Sequence, residues 1–413
     1  MTISMMTNAA AVPGAAQVRA ARVAQPIAAQ PIAAKRQRIG SIDALRGLVM
    51  LLMLVDHTRE YFYSHAPVSD PMSLATTPPA LFFTRLAAHL CAPIFVLLTG
   101  LAAWLYAEGR DPERRSAAAS SFLLKRGVFL VALEWTVVNF AWTFDPTPAI
   151  VYLQVIWAIG LSMIALAAIV HLPRRLVVAL GLAIVLGHNV LDPIAFAPGE
   201  PGHVIWAVLH DRGMLDLPFG GQARTSYPVL PWIGMIALGW AIGPWFARAV
   251  DRDARRRRLL LAGSAALMLF AILRMINGYG EPRAWQGGGG TLATVMSILN
   301  LTKYPPSADF LLLTGGIGLI LLVAIERMSA RVTTVLAVFG SAPLFFYVLH
   351  LYTLHALNIA AALVLGATGP LVSVPDVAWI WLVATVVAVP CWFACRSFAA
   401  FKRTRTGWWW RYL

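Results

Sequence analysis

One apolar segment near residue 40 carries ionisable side chains at a spacing that suits acid–base chemistry. Asp43 and Arg46 are followed by nine residues without a charge, and then by Asp56 and His57. Ionisable groups inside a membrane helix are costly, so they mark functional sites by default. On a helix, Asp43, Arg46 and His57 share one face, and His57 lies roughly 16 Å beyond Arg46 at about 1.5 Å per residue. The segment predicts a paired charge near one membrane surface and an imidazole near the other.

Histidine suits general base work because its unperturbed pKa lies near neutral pH. Such a base could remove a proton from a hydroxyl or an amine while that group attacks an acyl carbon. His57 is the first candidate, and His65 and His89 are the second candidates. Asp56 is included in the catalytic set, although adjacent residues point about 100° apart on an ideal helix. A carboxylate elsewhere, such as Asp192, could orient the imidazole instead.

Other polar residues of the apolar segments gather toward the same half as His57 and are candidate substrate-binding residues. They are Glu134, Asn139, His188, Asn189, Asp192, Tyr227, Lys303, Tyr304 and His350. Each also has a plain structural alternative, because lone membrane histidines often bond a neighbouring helix and polar helix ends often anchor the interface. The three cysteines have no metal-ligand spacing, and we predict no metal.

The composition predicts a protein that crosses a membrane several times. The chain has 413 residues, of which 59% are hydrophobic and 13% are charged, whereas soluble proteins carry about 25% charged residues. The net charge of +14 would suggest a nucleic-acid partner in a soluble protein. Here the basic residues lie in short loops between apolar segments, where positive charge sets orientation. We therefore predict a lipid bilayer and no nucleic acid as the partner.

The predicted fold is an all-α polytopic membrane protein with about ten transmembrane helices around a polar cavity. A spanning helix needs about 20 apolar residues. The candidate spans are 42–63, 86–108, 121–143, 148–170, 175–196, 226–248, 258–277, 307–326, 332–366 and 376–399. The ninth is too long for one straight span, and Gly340 and Pro343 predict a break or a kink in it.

The predicted domain covers residues 39–400, between a disordered tail over 1–38 and a basic, aromatic tail over 401–413. With ten spans, the loops richest in Lys and Arg all fall on the side of the two tails. Positive charge favours the cytoplasmic side. Both termini are therefore expected in the cytoplasm, and the outer half of the bundle holds the polar residues.

Several motifs resemble those of a family of transmembrane acyltransferases. Asp43-Ala-Leu-Arg-Gly followed ten residues later by His57 looks like the opening of acyltransferase-3 proteins and of the relatives of heparan-alpha-glucosaminide N-acetyltransferase. Further motifs resemble bacterial members of the second branch, over about residues 39–398. These motifs are His89-Leu-Cys-Ala-Pro-Ile-Phe, Tyr227-Pro-Val-Leu-Pro-Trp, Lys303-Tyr-Pro-Pro-Ser and Pro343-Leu-Phe-Phe-Tyr-Val-Leu-His350.

The resemblance leaves two histidines open as the catalytic one. In the acyltransferase-3 branch the histidine at the position of His57 is the essential one. In the lysosomal enzyme that position is an asparagine, and the active histidine follows an aromatic run, closer to His65. This chain has a histidine at both places.

The resemblance implies transfer of an acetyl or other acyl group from cytoplasmic acyl-CoA to an acceptor on the far side of the membrane. The acceptor would be of the saccharide type, and acyl-CoA would be the co-substrate. Arg126 and nearby arginines would meet the CoA phosphates, while Asp43 and Arg46 would order the first helix or line the donor path. The expected location is a bacterial inner membrane, and a homodimer is compatible with the sequence. The alternatives are a proton-coupled transporter or flippase that uses the same cavity, and a non-catalytic scaffold.

Overall fold

The computed structural model describes residues 2, 40–218, 220–366, 372–405 and 407. Apart from residue 2, the tail predicted over 1–38 lies outside the described residues. The same holds for residue 406 and residues 408–413 of the tail predicted over 401–413. The described part of the predicted domain is mostly helical, as expected for a chain so rich in long apolar segments.

The helices and strands follow one another along the described chain in an order that brings distant segments together. The α-helices are α1 Gly40–Phe62, α2 Pro79–Ala88, α3 Cys91–Glu108, α4 Arg115–Leu133, α5 Asn139–Thr143, α6 Val155–Ile169, α7 Arg174–Gly187, α8 His203–Leu209, α9 Leu230–Ala241, α10 Arg252–Ile276, α11 Gly290–Leu299, α12 Ala308–Ile325, α13 Ala330–Ser341, α14 Pro343–Leu365 and α15 Val377–Arg403. One π-helical turn, Glu134–Val138, joins α4 to α5.

A small sheet departs from the all-α prediction. Its strands are β1 Ile150–Leu153, β2 Met214–Asp216 and β3 Gln222–Thr225, in the order β1-β3-β2. The strand β3 pairs parallel to β1 and antiparallel to β2. Strands of three or four residues are too short to show the alternation by which a strand is recognised in a sequence. The fold is therefore mostly helical with a short sheet between α5 and α9.

Seven of the described helical segments are long and apolar enough to cross a membrane. They are Pro79–Glu108, Pro112–Thr143, Arg174–Leu191, Arg252–Ile276, Ala308–Ile325, Pro343–Leu365 and Val377–Arg403. The predicted number of ten is not confirmed by this criterion. Four further apolar helices have only 10–17 residues, and α1 carries several charged residues despite its 23-residue length. These features identify an integral membrane protein.

The predicted break in the ninth segment is confirmed. The helix α13 ends at Ser341, α14 begins at Pro343, and Ala342 between them has φ −136° and ψ 57°. Proline has no backbone N–H, so Pro343 cannot continue the hydrogen-bond ladder of α13. It occupies the first turn of α14, where a missing N–H has no cost.

Four helix pairs cross with a glycine on each partner. The pairs are Gly47 with Gly340 (α1 and α13), Gly100 with Gly239 (α3 and α9), Gly127 with Gly160 (α4 and α6), and Gly263 with Gly316 (α10 and α12). The closest crossing is the first. A Cβ atom on Gly47 would lie 1.8 Å from the carbonyl oxygen of Leu336, and one on Gly340 would lie 1.8 Å from that of Asp43. Small residues let membrane helices pack backbone against backbone, where dispersion replaces the hydrophobic effect.

The helix α1 lies at the centre of the bundle. It contacts α2, α3, α12, α13, α14 and α15. Its apolar residues Leu45, Val49 and Met50 are almost completely buried. The polar residues at its two ends are therefore presented to several helices at once, and each end can collect side chains from distant parts of the sequence.

We expect replacement of Gly340 by alanine to destabilise the protein, because the added methyl group would meet the α1 backbone rather than a side chain that can move. Overpacking of this kind costs about 1–3 kcal/mol or more. The measurement is the apparent Tm in detergent. The matched control is Gly187→Ala, because a Cβ atom at Gly187 meets nothing within 4 Å. An unchanged Tm for Gly340→Ala would contradict the close crossing of α1 and α13.

Candidate functional site

Two histidines from distant segments meet near the end of α1. The Nδ1 atom of His57 lies 2.7 Å from Nε2 of His350 in α14, and the two rings are nearly coplanar and meet edge to edge, with 5.0 Å between centroids. The Nδ1 atom of His350 in turn lies 2.7 Å from the carbonyl oxygen of Phe346. His350 is completely buried, whereas His57 is only partly buried. The pair therefore has one inner ring and one ring that a substrate can reach.

Two aromatic side chains flank the ring of His57. The ring centroids of Trp142 and Tyr347 lie 5.0 and 5.9 Å from that of His57, and both contacts are edge-on. The indole Nε1 of Trp142 and the hydroxyl of Tyr347 are buried next to each other, and neither has a partner of normal hydrogen-bond geometry among the described residues. A buried polar group without a partner costs about 1–3 kcal/mol. Buried donors of this kind beside a histidine mark a candidate binding site, because a bound molecule could supply the missing hydrogen-bond acceptors. We call His57, His350, Trp142 and Tyr347 the histidine cluster.

Glu134 and Asn139 hold the chain that carries Trp142. The Glu134 carboxylate accepts hydrogen bonds from the backbone N–H groups of Gln154, at 3.3 Å, and Trp157, at 3.0 Å. The Asn139 amide donates to the carbonyl oxygens of Glu134 and Tyr152 and accepts from the Tyr152 N–H. Both side chains thus fasten the π turn and α5 to β1 and α6. The structure gives them a positioning role, and the direct substrate contact predicted for them stays a prediction.

Asp56 belongs to an ion-pair cluster and not to a dyad with His57. Both of its carboxylate oxygens accept from Nη1 of Arg85, at 2.8 and 2.7 Å, and Arg59 donates to it at 3.2 Å. The Nζ atom of Lys303 lies 3.9 Å away. No hydrogen bond joins Asp56 to His57 within the described part of the chain, as the angle between adjacent helical residues leads one to expect. The carboxylate is occupied by cations and does not orient the imidazole.

The predicted residues His89, Tyr227 and Tyr304 border this ion-pair cluster. Lys303 lies over the ring of Tyr304 at 5.1 Å, and the hydroxyl groups of Tyr227 and Tyr304 are 3.0 Å apart. His89 is buried against Phe310, and neither of its ring nitrogens has a hydrogen-bond partner in the part of the chain that the structure describes. The predicted residue Tyr227 therefore does come together with the predicted pair Lys303 and Tyr304, which lies far from it in sequence.

His65 lies away from the histidine cluster. It is exposed in the loop after α1, where its Nδ1 atom is 2.5 Å from the Ser373 hydroxyl oxygen and its ring contacts Tyr63. The structure therefore separates the two histidines that the motifs left open. His57 is in the bundle beside unpartnered donors, and His65 is in a surface loop.

His188 and Asn189 connect the end of α7 to the segment before α12. The ring nitrogens of His188 lie 2.9 Å from the Ile184 carbonyl oxygen and 2.8 Å from that of Pro306. The Asn189 side-chain oxygen accepts from the Ala308 N–H at 2.8 Å. These bonds hold the segment that carries Lys303 and Tyr304. His188 and Asn189 therefore support the site indirectly, through that segment.

Asp192 forms a separate polar group beyond the end of α7. One carboxylate oxygen lies 3.0 Å from Nε2 of His210, and the other accepts from the Asn189 amide at 2.9 Å. Partial burial alone would raise the pKa of Asp192, but the hydrogen bonds from His210 and Asn189 hold it below its usual value. Asp192 is thus tied to His210 and is not the partner of His57 in this structure.

The Asp43 and Arg46 pair lies at the opposite end of α1. Arg46 Nη1 donates to the Asp43 carboxylate at 2.8 Å and to the Gly340 carbonyl at 3.2 Å. That carbonyl belongs to the last turn of α13, whose final carbonyl groups lack helical partners. Arg46 therefore ties α1 to α13 just where the two helices cross. Arg126 of α4 is half-buried, with its guanidinium group 5.9 Å from the ring centre of Phe122.

The sequence analysis missed Trp142, Tyr347, Arg59 and Arg85. Arg85 precedes His89 by four residues, so the helical spacing of two polar residues in an apolar stretch could have identified it. The two aromatic residues gave no such signal, because Trp and Tyr are common near the ends of membrane helices, where they anchor the interface. The described residues also contain no group of three or more His, Cys, Asp or Glu side chains that could hold a metal ion.

A cavity of about 940 Å³ is lined in part by α5 and by the π turn before it. Its lining includes Trp135, Asn139, Phe140, Asp145 and Tyr352. The cavity thus combines aromatic faces with amide and carboxylate groups. The helix α5 thus contributes Asn139 and Phe140 to this cavity and Trp142 to the histidine cluster.

The comparisons with known proteins identify the family. The sequence model described as "Heparan-alpha-glucosaminide N-acetyltransferase, catalytic" matches residues 38–274, which is more than half of the chain. That match contains α1 with His57, and it ends before Lys303 and His350. A comparison with curated proteins found no match. The chain therefore belongs to the family of the heparan-alpha-glucosaminide N-acetyltransferase catalytic domain, a family of transmembrane acyltransferases.

Proposed function

We propose that the protein transfers an acyl group from acyl-CoA to a hydroxyl or amino group of a saccharide, with His57 as the general base. The observation that carries the proposal is the surroundings of His57. This partly accessible imidazole is held through one ring nitrogen and lies beside the indole of Trp142 and the hydroxyl of Tyr347. These two buried donors are next to each other, and neither meets an acceptor with normal hydrogen-bond geometry among the described residues. A base and unpaired donors at one place are the parts that acyl transfer requires.

The chemistry balances with these groups. His57 takes the proton from the acceptor hydroxyl or amine as that atom attacks the thioester carbonyl. The new bond leaves an oxyanion, towards which Trp142 and Tyr347 can donate. Collapse of the intermediate breaks the carbon–sulfur bond, and the protonated His57 returns its proton to the leaving CoA thiolate. Donors that are already in place stabilise the developing charge without the cost of reorganising.

In the proposed orientation, the acyl donor and the acceptor approach from opposite ends of α1. The positive charge of the loops favours the cytoplasm for the end of the bundle at which Arg46 of α1 and Arg126 of α4 lie. Acyl-CoA would approach there, in the inner membrane of a bacterium, with both termini also cytoplasmic. The thioester must then reach His57, roughly 16 Å along the helix at about 1.5 Å per residue. Guanidinium groups suit the CoA phosphates because they bind phosphate in a bidentate way.

The cavity beside α5 supports a saccharide-type acceptor. Sugar rings present apolar faces and hydroxyl groups, and the cavity offers Trp135, Phe140 and Tyr352 together with Asp145 and Asn139. Pockets that select a small molecule combine apolar walls with a few placed polar groups in this way. The residues at the ion-pair cluster, His89, Lys303, Tyr227 and Tyr304, are proposed as further acceptor contacts.

We expect His57→Ala to lower the rate of acyl transfer by about 10²–10⁴-fold, the usual effect of removing a general base. The measurement is turnover of acyl-CoA by purified protein with a panel of amino sugars and neutral sugars. The matched control is His65→Ala, which removes an exposed histidine and should leave the rate within about twofold. If His57→Ala is fully active while His65→Ala is inactive, the base is His65.

We expect acyl-CoA to raise the apparent Tm of the folded protein, because a ligand that binds only the native state stabilises it by mass action. The gain is about 2.7 kcal/mol at one hundred times Kd. The control ligand is acyl-pantetheine, which keeps the thioester and lacks the nucleotide phosphates. A transporter of sugars would respond to sugar alone. The absence of any shift with millimolar acyl-CoA would contradict the donor assignment.

The proposed orientation predicts that reporter fusions after residues 75 and 210 face the outside and that fusions after residues 115 and 255 face the cytoplasm. Alternating loop charge is the physical reason. Paired reporters, one active only in the cytoplasm and one only outside, measure this directly. A cytoplasmic signal after residue 210 would overturn the orientation.

A further inference from the structure

We infer that His350 is a positioning residue that fixes the tautomer of His57, so that Nε2 of His57 is the atom that takes the proton from the acceptor. The inference rests on the proposed acyl transfer and adds to it the reactive atom and the group that selects it. The observation behind it is the continuous line of three polar groups from the Phe346 carbonyl through His350 to His57.

The inner end of this line is the contact between the Phe346 carbonyl oxygen and Nδ1 of His350. A carbonyl oxygen can only accept, so the 2.7 Å contact between Phe346 O and Nδ1 of His350 requires a proton on that nitrogen. The oxygen has two lone pairs and can take this bond as well as the helical bond from four residues further on. The Phe346 carbonyl oxygen, one turn earlier in the same helix, thereby fixes the proton of neutral His350 on Nδ1.

The proton position on His57 follows from the single proton of a neutral imidazole. With Nδ1 protonated, Nε2 of His350 carries a lone pair and accepts. Its 2.7 Å contact with Nδ1 of His57 then requires the proton to be on His57 Nδ1. His57 in its neutral form is left with an unprotonated Nε2. This nitrogen is free to take a proton, and the partly buried ring leaves it accessible to a substrate.

A doubly protonated His350 fits this geometry less well. The ring is completely buried and is stacked on Phe346 at 4.9 Å between centroids, and burial of an unpaired charge is costly. No carboxylate bonds either ring within the described residues. The charged groups that face His57 are Asp56, Arg59, Arg85 and Lys303, with three positive charges among the four. A second cation next to His57 would add to this excess.

The arrangement also holds after the proton has moved. Protonated His57 carries N–H groups on both ring nitrogens, so its Nδ1 still donates to His350. The imidazole of His350 thus fills the place of the carboxylate that orients a catalytic histidine in serine hydrolases. Asp56 cannot fill that place because Arg59 and Arg85 hold its carboxylate.

The break between α13 and α14 sets this register. Because α14 begins anew at Pro343, its first two turns bring Phe346, Tyr347 and His350 toward α1. His355 on the same helix also faces inward, but it bonds the Ala141 carbonyl at 2.9 Å and stacks on Phe144. It makes no hydrogen bond to His57, and it therefore provides a matched control on the same helix.

The test compares His350→Phe with His350→Gln and with the control His355→Gln. Phenylalanine keeps the flat ring and removes the acceptor, and glutamine returns an acceptor oxygen near the former Nε2. We expect His350→Phe to lower kcat by about 10–100-fold, as removal of such supporting partners does, with KM nearly unchanged. His350→Gln should recover part of kcat, and His355→Gln should stay within about twofold. Full kcat in folded His350→Phe would overturn the inference.

A second measurement does not depend on activity or on the folding of any variant at position 350. In wild-type protein labelled with ¹⁵N-histidine, and assigned with His57→Gln, we expect His57 to show a protonated Nδ1 and an unprotonated Nε2. A protonated Nε2 on neutral His57 would overturn the inference even if the enzyme is active. If His57→Ala keeps full activity while this tautomer is observed, the base assignment under the proposed function fails and the tautomer assignment stands.

Discussion

The backbone contact between α1 and α13 is the constraint on which the rest of the structure depends. Gly47 and Gly340 let the two helices approach until carbonyl oxygens occupy the space of absent Cβ atoms. Arg46 bonds the Gly340 carbonyl across this contact. The chain then breaks at Ala342 and begins α14 at Pro343. The close contact, the Arg46 hydrogen bond and the helix break together fix the register of α14 against α1. That register brings His350 to His57. The Asp43-Ala-Leu-Arg-Gly motif thus determines the geometry of a site about 16 Å away along α1.

Some polar groups of the bundle make hydrogen bonds or ion pairs that hold the fold together. Others are buried without a hydrogen-bond partner among the described residues. The carboxylates of Asp56, Glu134 and Asp192 are all occupied by arginine, backbone N–H or histidine. By contrast, both ring nitrogens of His89, the indole of Trp142 and the hydroxyl of Tyr347 are buried without one. In a low-dielectric interior an unpaired polar group is expensive. Of the unpaired groups, we assign hydrogen bonds from the substrate to those beside His57, under the function proposed above.

Much of this could be predicted from the sequence, and the rest failed for identifiable reasons. The segment of α1, the pair Asp43 and Arg46, and the break at Pro343 follow from local spacing and from proline chemistry, and the structure confirms them. The short sheet and the glycine crossings depend on which helices become neighbours, and a single sequence does not state this. For the same reason His350 could be named as a candidate, but its bond to His57 could not be predicted. Asp56 was grouped with His57 by adjacency, whereas helix geometry turns it toward Arg85.

We propose that acyl transfer takes place across the bilayer at His57. The most direct test is transfer in proteoliposomes of known protein orientation, with labelled acyl-CoA on one side and an amino or neutral sugar on the other. The account predicts labelled sugar only when acyl-CoA is on the side of Arg46 and Arg126, and none with His57→Ala in the same orientation. Equal labelling from either side, or labelling that persists with His57→Ala, would contradict it.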